Sequence, residues 1–420
     1  MSRKPKPKNT LSAGQRAAMF EEEQRRRASS LSSIEGAAQQ SEETQSVSGQ
    51  KKSEPAPKKQ KEKPQTASVK VDFAVSGGSI NKIWGMCNGP LSQSADISGL
   101  FSKLRVPCVR FDRTEGSRSG YVLDVSKIFP DVSADARDPE SYNFRETDKY
   151  VLAAANVGAR IIFRLGESFD MLTPEHKLKL HENYDKITTV CVNIIKHYND
   201  YFAGGFALGI KYFEVMSHTD LGRVRQHNTD EEIFELYSRI ANGIKLYDSS
   251  IKVGGMSFSS PSQFVRDFIR YCKKKNAPVD FISVSLYSSS PEDMGEQMRQ
   301  YVHILKNSNY SDAQIIVSEW AYMPTVDGKQ ATMALAYSTL PENAEQRKEI
   351  FEKQRSVYGA AFVASGLLKM LEHPEIETAC LESGEASSLW CAVCDRFGLA
   401  KKPYFAIEAF SRLAAGDRLF

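Results

Sequence analysis

The sequence predicts an α/β protein, a (β/α)8 TIM barrel preceded by a disordered N-terminal tail. From about residue 71 to 420, short β-type runs alternate with longer helical ones, and eight candidate strands are what a closed parallel barrel needs. Several of these runs stop on a polar side chain, and residues at the C-terminal ends of barrel strands face the active-site mouth. The clearest case is Gln314-Ile-Ile-Val-Ser-Glu-Trp320, where four consecutive apolar or small residues end at a lone carboxylate, Glu319. A doubly wound open sheet is the alternative. No glycine-rich phosphate loop follows any strand, which removes the usual nucleotide chemistry of that fold.

Residues 1–70 carry 15 Lys/Arg against 8 Asp/Glu, leaving 40 against 44 for the rest, so the net charge of +3 joins a basic tail to a mildly acidic body. The tail has no Cys or Trp and one aromatic, Phe20, and is rich in Ser, Gln, Lys, Glu and Pro. Such a segment cannot bury enough apolar area to offset the entropy of ordering. Within it, Ser12 with Gln15 makes a capping box, and Glu21/Arg25, Glu22/Arg26 and Glu23/Arg27 pair at i,i+4, which predicts a marginal helix over 12–29 suited to docking on a protein partner. The run Lys51 to Lys63 has Pro and Glu interspersed and no interleaved aromatics, the pattern of a solvated linker and not of a specific nucleic-acid site. The N-terminus shows no secretory h-region, and no stretch reaches the ~18 apolar residues of a membrane span, so a soluble cytoplasmic chain is expected, with the tail available for nuclear delivery or non-classical export.

The strand candidates are Ile80–Met86, Val106–Asp112, Arg160–Leu165, Tyr212–Met216, Lys252–Met256, Phe281–Leu286, Gln314–Ser318 and one between Glu377 and Val393. Helical patterns fall near 94–104, 145–157, 175–198, 229–247, 261–275, 291–308 and 342–372, with start signals at Thr173-Pro174 and Asn228-Thr-Asp230. The seven cysteines sit mostly in apolar runs such as Val106-Pro-Cys-Val-Arg110, where Cys acts as a small hydrophobe, so free thiols are expected. Cys391 and Cys394 have CxxC spacing but lack the second pair or His that a zinc site needs, and no metal or cofactor is expected.

Polar residues cluster just past the strand ends: Asn88, Arg110 with Asp112, Glu167, His218 with Asp220, Tyr287, and Glu319 with Trp320. Together they describe a polar, partly aromatic mouth suited to a sugar, whose hydroxyls need donors and acceptors and whose ring faces stack on aromatics. A retaining glycosidase sets two carboxylates ~5–5.5 Å apart, one as nucleophile and one as proton donor to the leaving oxygen.

Several segments carry a family resemblance: Trp84-Gly-Met-Cys-Asn-Gly-Pro90, Val109-Arg-Phe-Asp112, Ile161-Ile-Phe-Arg-Leu-Gly-Glu-Ser168, Lys211-Tyr-Phe-Glu-Val215, Asp280-Phe-Ile-Ser-Val284, Val317-Ser-Glu-Trp320 and Lys402-Pro-Tyr-Phe-Ala-Ile407. From about Asn81 to Leu413 the chain resembles the (β/α)8 retaining glycosidases, most closely the glycoside hydrolase family 39 type, which includes β-xylosidases and α-L-iduronidases. The resemblance implies that Glu319 is the nucleophile and that Arg110 supports it and orients substrate. It also implies an acid/base Glu in a Trp-Asn-Glu-Pro-Asp segment after strand four, where this chain reads Met216-Ser217-His218-Thr219-Asp220. The proton donor of the family is therefore missing, with Ser217 beside the place and His218 in it; Ser285 likewise replaces a His while Tyr287 is kept.

Two functions follow as expectations. The first is a retaining hydrolase of O-glycosides with Glu319 as nucleophile, a degenerate acid/base at His218, and Asn88, Arg110, Asp112, Glu167, Ser217, Tyr287 and Trp320 holding the carbohydrate. The second is a catalytically silent pseudoenzyme barrel that binds a carbohydrate or protein partner. The discriminating feature is whether a second carboxylate stands near Glu319, with Glu167 and Asp220 as the first alternatives to examine.

Overall fold

The computed structural model describes residues 80–114, 121–167, 183–221, 225 and 228–413; the basic tail, the 12–29 helix, the linker to Lys63 and the Thr173-Pro174 signal lie outside them. Eight parallel strands close a barrel: β1 (Trp84–Cys87), β2 (Cys108–Phe111), β3 (Arg160–Leu165), β4 (Tyr212–Val215), β5 (Lys252–Phe258), β6 (Phe281–Ser288), β7 (Gln314–Tyr322) and β8 (Ile376–Glu382). Each pairs with its neighbours in chain order, and β8 returns beside β1. The expected eighth strand thus exists, and it begins at Ile376.

Alternation along the strands sorts side chains into an outer set, packed against helices, and an inner set stacked in layers. At the bottom of the barrel Cys108, Ile162, Phe281 and Ile316 form their own apolar cluster with Tyr212 against it. One step up the same strands stand Arg110, Arg164 and Glu214, fully buried. The intervening Val109, Phe163, Phe213, Ile282 and Val317 belong to the large core shared with the helices. The period of two thus makes the strand interiors apolar below and ionic above.

β7 breaks this period. Val317 pairs with Val284 on β6 and Ala379 on β8, but the next partners are Glu319 with Ser285 and Trp320 with Leu381, so β7 carries one extra residue there. A bulge of this kind reverses the alternation beyond it. Ser318 binds inward, its hydroxyl donating to the Val284 carbonyl at 3.0 Å, and Glu319 faces inward immediately after it.

The surrounding helices include α1 (Ser98–Leu104), α2 (Val125–Ile128), α3 (Arg145–Asn156), α4 (Tyr184–Asn199), α5 (Asp230–Tyr247), α6 (Gln263–Lys275) and α7 (Pro291–Lys306), with α8 (Val357–Leu371) and α9 (Lys402–Leu413) near the C-terminus. The start of α5 obeys its sequence signal, and α7 is capped as well. Thr229 caps α5 in a full capping box with Glu232, and Ser290 followed by Pro291 opens α7. The predicted helix over 342–372 is two, Ala344–Gln354 and α8, broken where Ser356 caps the second. All seven cysteines are buried free thiols.

The chain divides into two compact units. The barrel comprises Gly78–Gln330 and Ile350–Leu419; the other unit contains Ala331–Glu349, where Thr332 caps the short helix Met333–Ala336. Among the described residues, no helix is long and apolar enough to cross a membrane.

Candidate active site

Arg110, one residue before the end of β2, stands in the centre of the upper barrel and has no exposed side-chain surface. Its guanidinium donates to Glu214 (2.8 Å), Glu319 (2.8 Å), Asp112 (3.2 Å) and the Ser217 hydroxyl (3.0 Å). Arg164 on β3 braces the far side of Asp112 at 2.9 Å and reaches Asp124 at 2.6 Å. Asn88, in left-handed backbone at φ 61°, turns its amide oxygen to accept from the Asp112 N–H (3.0 Å) and the Thr114 hydroxyl (2.8 Å). Asp112 is thus fixed from three directions, and it accepts the Ser217 hydroxyl besides, at 3.2 Å.

Glu319 gathers the remaining donors. Its Oε2 accepts the Tyr287 hydroxyl at 2.7 Å and an Arg113 N–H at 3.2 Å, and the Nε2 of His218 lies 3.2 Å away. Burial pushes the Glu319 carboxyl up, but His218, Arg113 and Arg110 outweigh it and hold the group well below the ordinary carboxylate range. The same pair acts on His218: burial would neutralise the ring, yet the Glu319 charge raises it above the usual histidine range. For Asp112, Arg110 and Arg164 likewise overcome burial and keep the acid ionised. His218 takes its place through left-handed backbone at φ 52°, two residues after Met216 at φ 60°, so the β4 exit is a sharply turned segment.

A further carboxyl stands beside Glu319. Glu382 closes β8, the strand between β1 and β7, and pairs in register with Cys87. One oxygen of Glu382, one of Glu319 and the Cys87 sulfur all lie within 4.8 Å of one another. Glu382 is buried, and its Oε2 has no hydrogen-bond partner among the described residues. Burial, with the Glu319 charge added, pushes it up to about 7.

The structure brings together Asn88, Arg110, Asp112, Ser217, His218, Tyr287 and Glu319, all named from sequence. Two expected residues stand elsewhere. Trp320 is not a mouth residue: after the β7 bulge it points outward, its ring packed on Gly366 and Phe362 of α8. Glu167 is bonded at the start of α2, accepting from the Ser126 N–H (2.6 Å) and hydroxyl (2.9 Å), and burial with the charge of Asp124 raises it to about 8. Asp220, the other alternative acid, accepts from the N–H and hydroxyl of Ser259.

Sequence reasoning missed Arg113, Arg164, Glu214, Glu382 and Trp390. Period two flags Arg164 and Glu214, each two residues beyond an inward apolar residue on its strand. Glu382 was hidden by the loosely bounded eighth strand. The indole of Trp390 meets the Tyr287 ring edge-on at 5.5 Å, supplying the aromatic beside the site that Trp320 does not.

Two groups have metal-ligand spacing, Asp112–His218–Glu319 and Cys87–Glu319–Glu382. Glu319, common to both, already receives its positive charge from Arg110 and Arg113, so a cation would compete with two guanidiniums held in place. The donor set suits an organic, hydroxyl-bearing ligand better.

Known proteins agree with this architecture. Two curated β-xylosidases are similar in sequence: one from Geobacillus stearothermophilus, 22% identical over 247 residues, covering 52% of this chain and 49% of that one, and one from Caldicellulosiruptor saccharolyticus, 23% identical over 230 residues, covering 52% and 46%. The chain therefore matches about half the length of these relatives. Among solved structures, a glucosidase from Croceicoccus marinus superimposes with a TM-score of 0.64 at 22% identity, over 80% of this chain and 69% of that one. A family 39 β-xylosidase from Caulobacter crescentus gives 0.59 at 14%, over 81% and 73%. The family model of glycosyl hydrolases family 39 matches residues 67–324, most of the barrel including β7, and the chain belongs to that family.

Proposed function

We propose that this protein hydrolyses O-glycosidic bonds with retention of configuration, with Glu319 as the nucleophile. The observation that carries the reading is the setting of Glu319: a buried carboxylate at the C-terminal end of β7, kept ionised by Arg110 and Arg113 and oriented by the Tyr287 hydroxyl. An ionised acid with fixed oxygens in a water-poor site is what attack on an anomeric carbon requires. The β-xylosidase relatives favour a pentopyranoside or a related sugar as substrate. Arg110, Asp112, Asn88 and Ser217 form the polar wall that meets its hydroxyls, with Tyr287 and Trp390 beside them.

A second reading, a barrel that binds carbohydrate without turnover, is favoured by the contact of His218 with Glu319 at 3.2 Å. That contact places an imidazole against the oxygen that would attack, at the position where the resemblance leads one to expect an acid.

The test is covalent trapping. Dinitrophenyl 2-deoxy-2-fluoro glycosides leave without protonation and accumulate the glycosyl-enzyme. Intact-mass and peptide analysis of the full chain should show one sugar on Glu319, absent from Glu319→Gln. No label across xylosyl, glucosyl, galactosyl and iduronyl reagents would remove the hydrolase reading in favour of the binding one.

A further inference from the structure

We propose that Glu382, at the end of the eighth strand, is the general acid and base of this barrel, replacing the acid that the fourth strand does not provide. The assignment rests on Glu319 being the nucleophile. Its first support is proximity: an oxygen of Glu382 stands within 4.8 Å of one of Glu319, as one of Asp112 also does, and a retaining mechanism needs a second carboxyl beside the nucleophile. Its second is the state of the carboxyl, whose buried Oε2 meets no partner among the described residues. Buried polar atoms are nearly always satisfied, and one that is not calls for an explanation. A glycosidic oxygen awaiting a proton supplies it.

The other acids of the region are each bonded through at least one oxygen, although Glu214 Oε1 and Asp220 Oδ1 also meet no partner among the described residues. Asp112 and Glu214 are bonded to Arg110, Glu167 to Ser126 and Asp220 to Ser259. In the empty site His218 Nε2 lies 3.2 Å from Oε2 of Glu319, on the attacking oxygen and not across a gap from it. The groups that set the protonation of Glu382 are Glu319 on β7, Cys87 on β1, and Arg110 and Arg113 at and after β2. Burial and Glu319 outweigh the arginines, and the carboxyl keeps its proton up to about pH 7.

In the first step a Glu319 oxygen bonds to the anomeric carbon as the bond to the leaving oxygen breaks. The released electron pair takes the proton from Glu382. In the second, the Glu382 carboxylate removes a proton from water, the water oxygen bonds to the anomeric carbon, and the ester to Glu319 breaks. Glycoside and water become free sugar and alcohol, and both acids return to their starting states.

The experiment compares the parent, Glu382→Gln and His218→Asn, using dinitrophenyl and methyl glycosides of the sugar that labels Glu319. Glu382→Gln should slow the methyl glycoside ~10²–10⁴-fold while glycosylation by the dinitrophenyl substrate stays within a few-fold. Azide should restore its turnover, and the alkaline limb of kcat/KM near pH 7 should disappear. In the parent, infrared spectra at pH 6 should show a protonated carboxyl that titrates near pH 7 and is missing from Glu382→Gln. An unchanged leaving-group dependence and pH profile in Glu382→Gln, or transfer of both effects to His218→Asn, would overturn the assignment while Glu319 labelling still stands. Failure of the parent to label at all would bring down the glycosidase reading and this one together.

Discussion

Replacing Arg110 with Met tests whether the site is held by charge. The side chain is fully buried and neutralises Glu319, Glu214 and Asp112 at 2.7–3.2 Å. Methionine fills a similar volume, so the cost comes from buried carboxylates left without their cation. Breaking such a pair costs about 3–5 kcal/mol. At ~2.1 cal/mol/K of unfolding entropy per residue, a barrel of this length shifts by roughly 4–7 °C in Tm. The pH dependence gives the sharper test. In the parent, Glu319 and Asp112 have lowered folded-state values, so their contribution is present above the unfolded-state pKa and is lost as pH falls through the folded one. Without Arg110 these acids move up, and the variant regains stability as pH falls from 7 towards 5 because the buried acids can take protons. Thermal melts of parent and variant between pH 5 and 8 should show a deficit largest at the alkaline end. A deficit under about 1 kcal/mol at pH 7, or one that widens on acidification, would refute this account; Arg110→Lys should fall between the two, since it keeps the charge but not the forked geometry.

Trp320→Ala should cost about 3–5 kcal/mol in a denaturant titration, while the labelling rate of Glu319 per folded molecule stays within a few-fold of parent. Tyr287→Phe removes a hydroxyl donor to a charged group, worth ~1.5–3 kcal/mol, and should slow Glu319 labelling by roughly 10–150-fold with little change in melting temperature. Glu167→Gln should flatten one component of the stability–pH curve. The Glu167 value is raised to about 8, so its contribution is full below the unfolded-state pKa and fades as pH rises through 8, which calorimetry across pH 5–9 will resolve.

The barrel was legible because its strands obey one rule, a buried run followed by a polar exit, and the start of α5 is announced by Asn228-Thr-Asp230. The polar exit of β2 also led to Arg110 and Asp112, separated by one outward residue, Phe111. Trp320 was misplaced because its neighbour Glu319 faces inward: on a regular strand only one of them can, and the extra residue in β7 decides which. Bulges depend on how two strands pair and leave no mark on a single strand. Glu382 was out of reach for a related reason. It matters through its approach to Glu319, residues 63 positions earlier in the chain, and that proximity exists only once β8 has closed between β7 and β1.

The electrostatics of Glu319 constrain how the site can work. A carboxylate oriented by the Tyr287 hydroxyl is secure as an ion but weakened as a nucleophile by the cations Arg110 and Arg113 and by His218 beside it, which draw electron density from the oxygens that must attack. Arg110 cannot withdraw, being tied also to Glu214, Asp112 and Ser217. Tyr287 is braced edge-on by Trp390. His218 has the weaker hold: it sits on a turned loop, and its charge depends on the carboxylate it contacts. In the proposed reaction, a sugar entering between Glu319 and Glu382 would have to displace His218 to free Oε2. His218 then helps Arg113 and Arg110 keep Glu319 charged in the empty site, and its replacement by Asn should speed Glu319 labelling at alkaline pH while lowering stability below the imidazole's raised pKa.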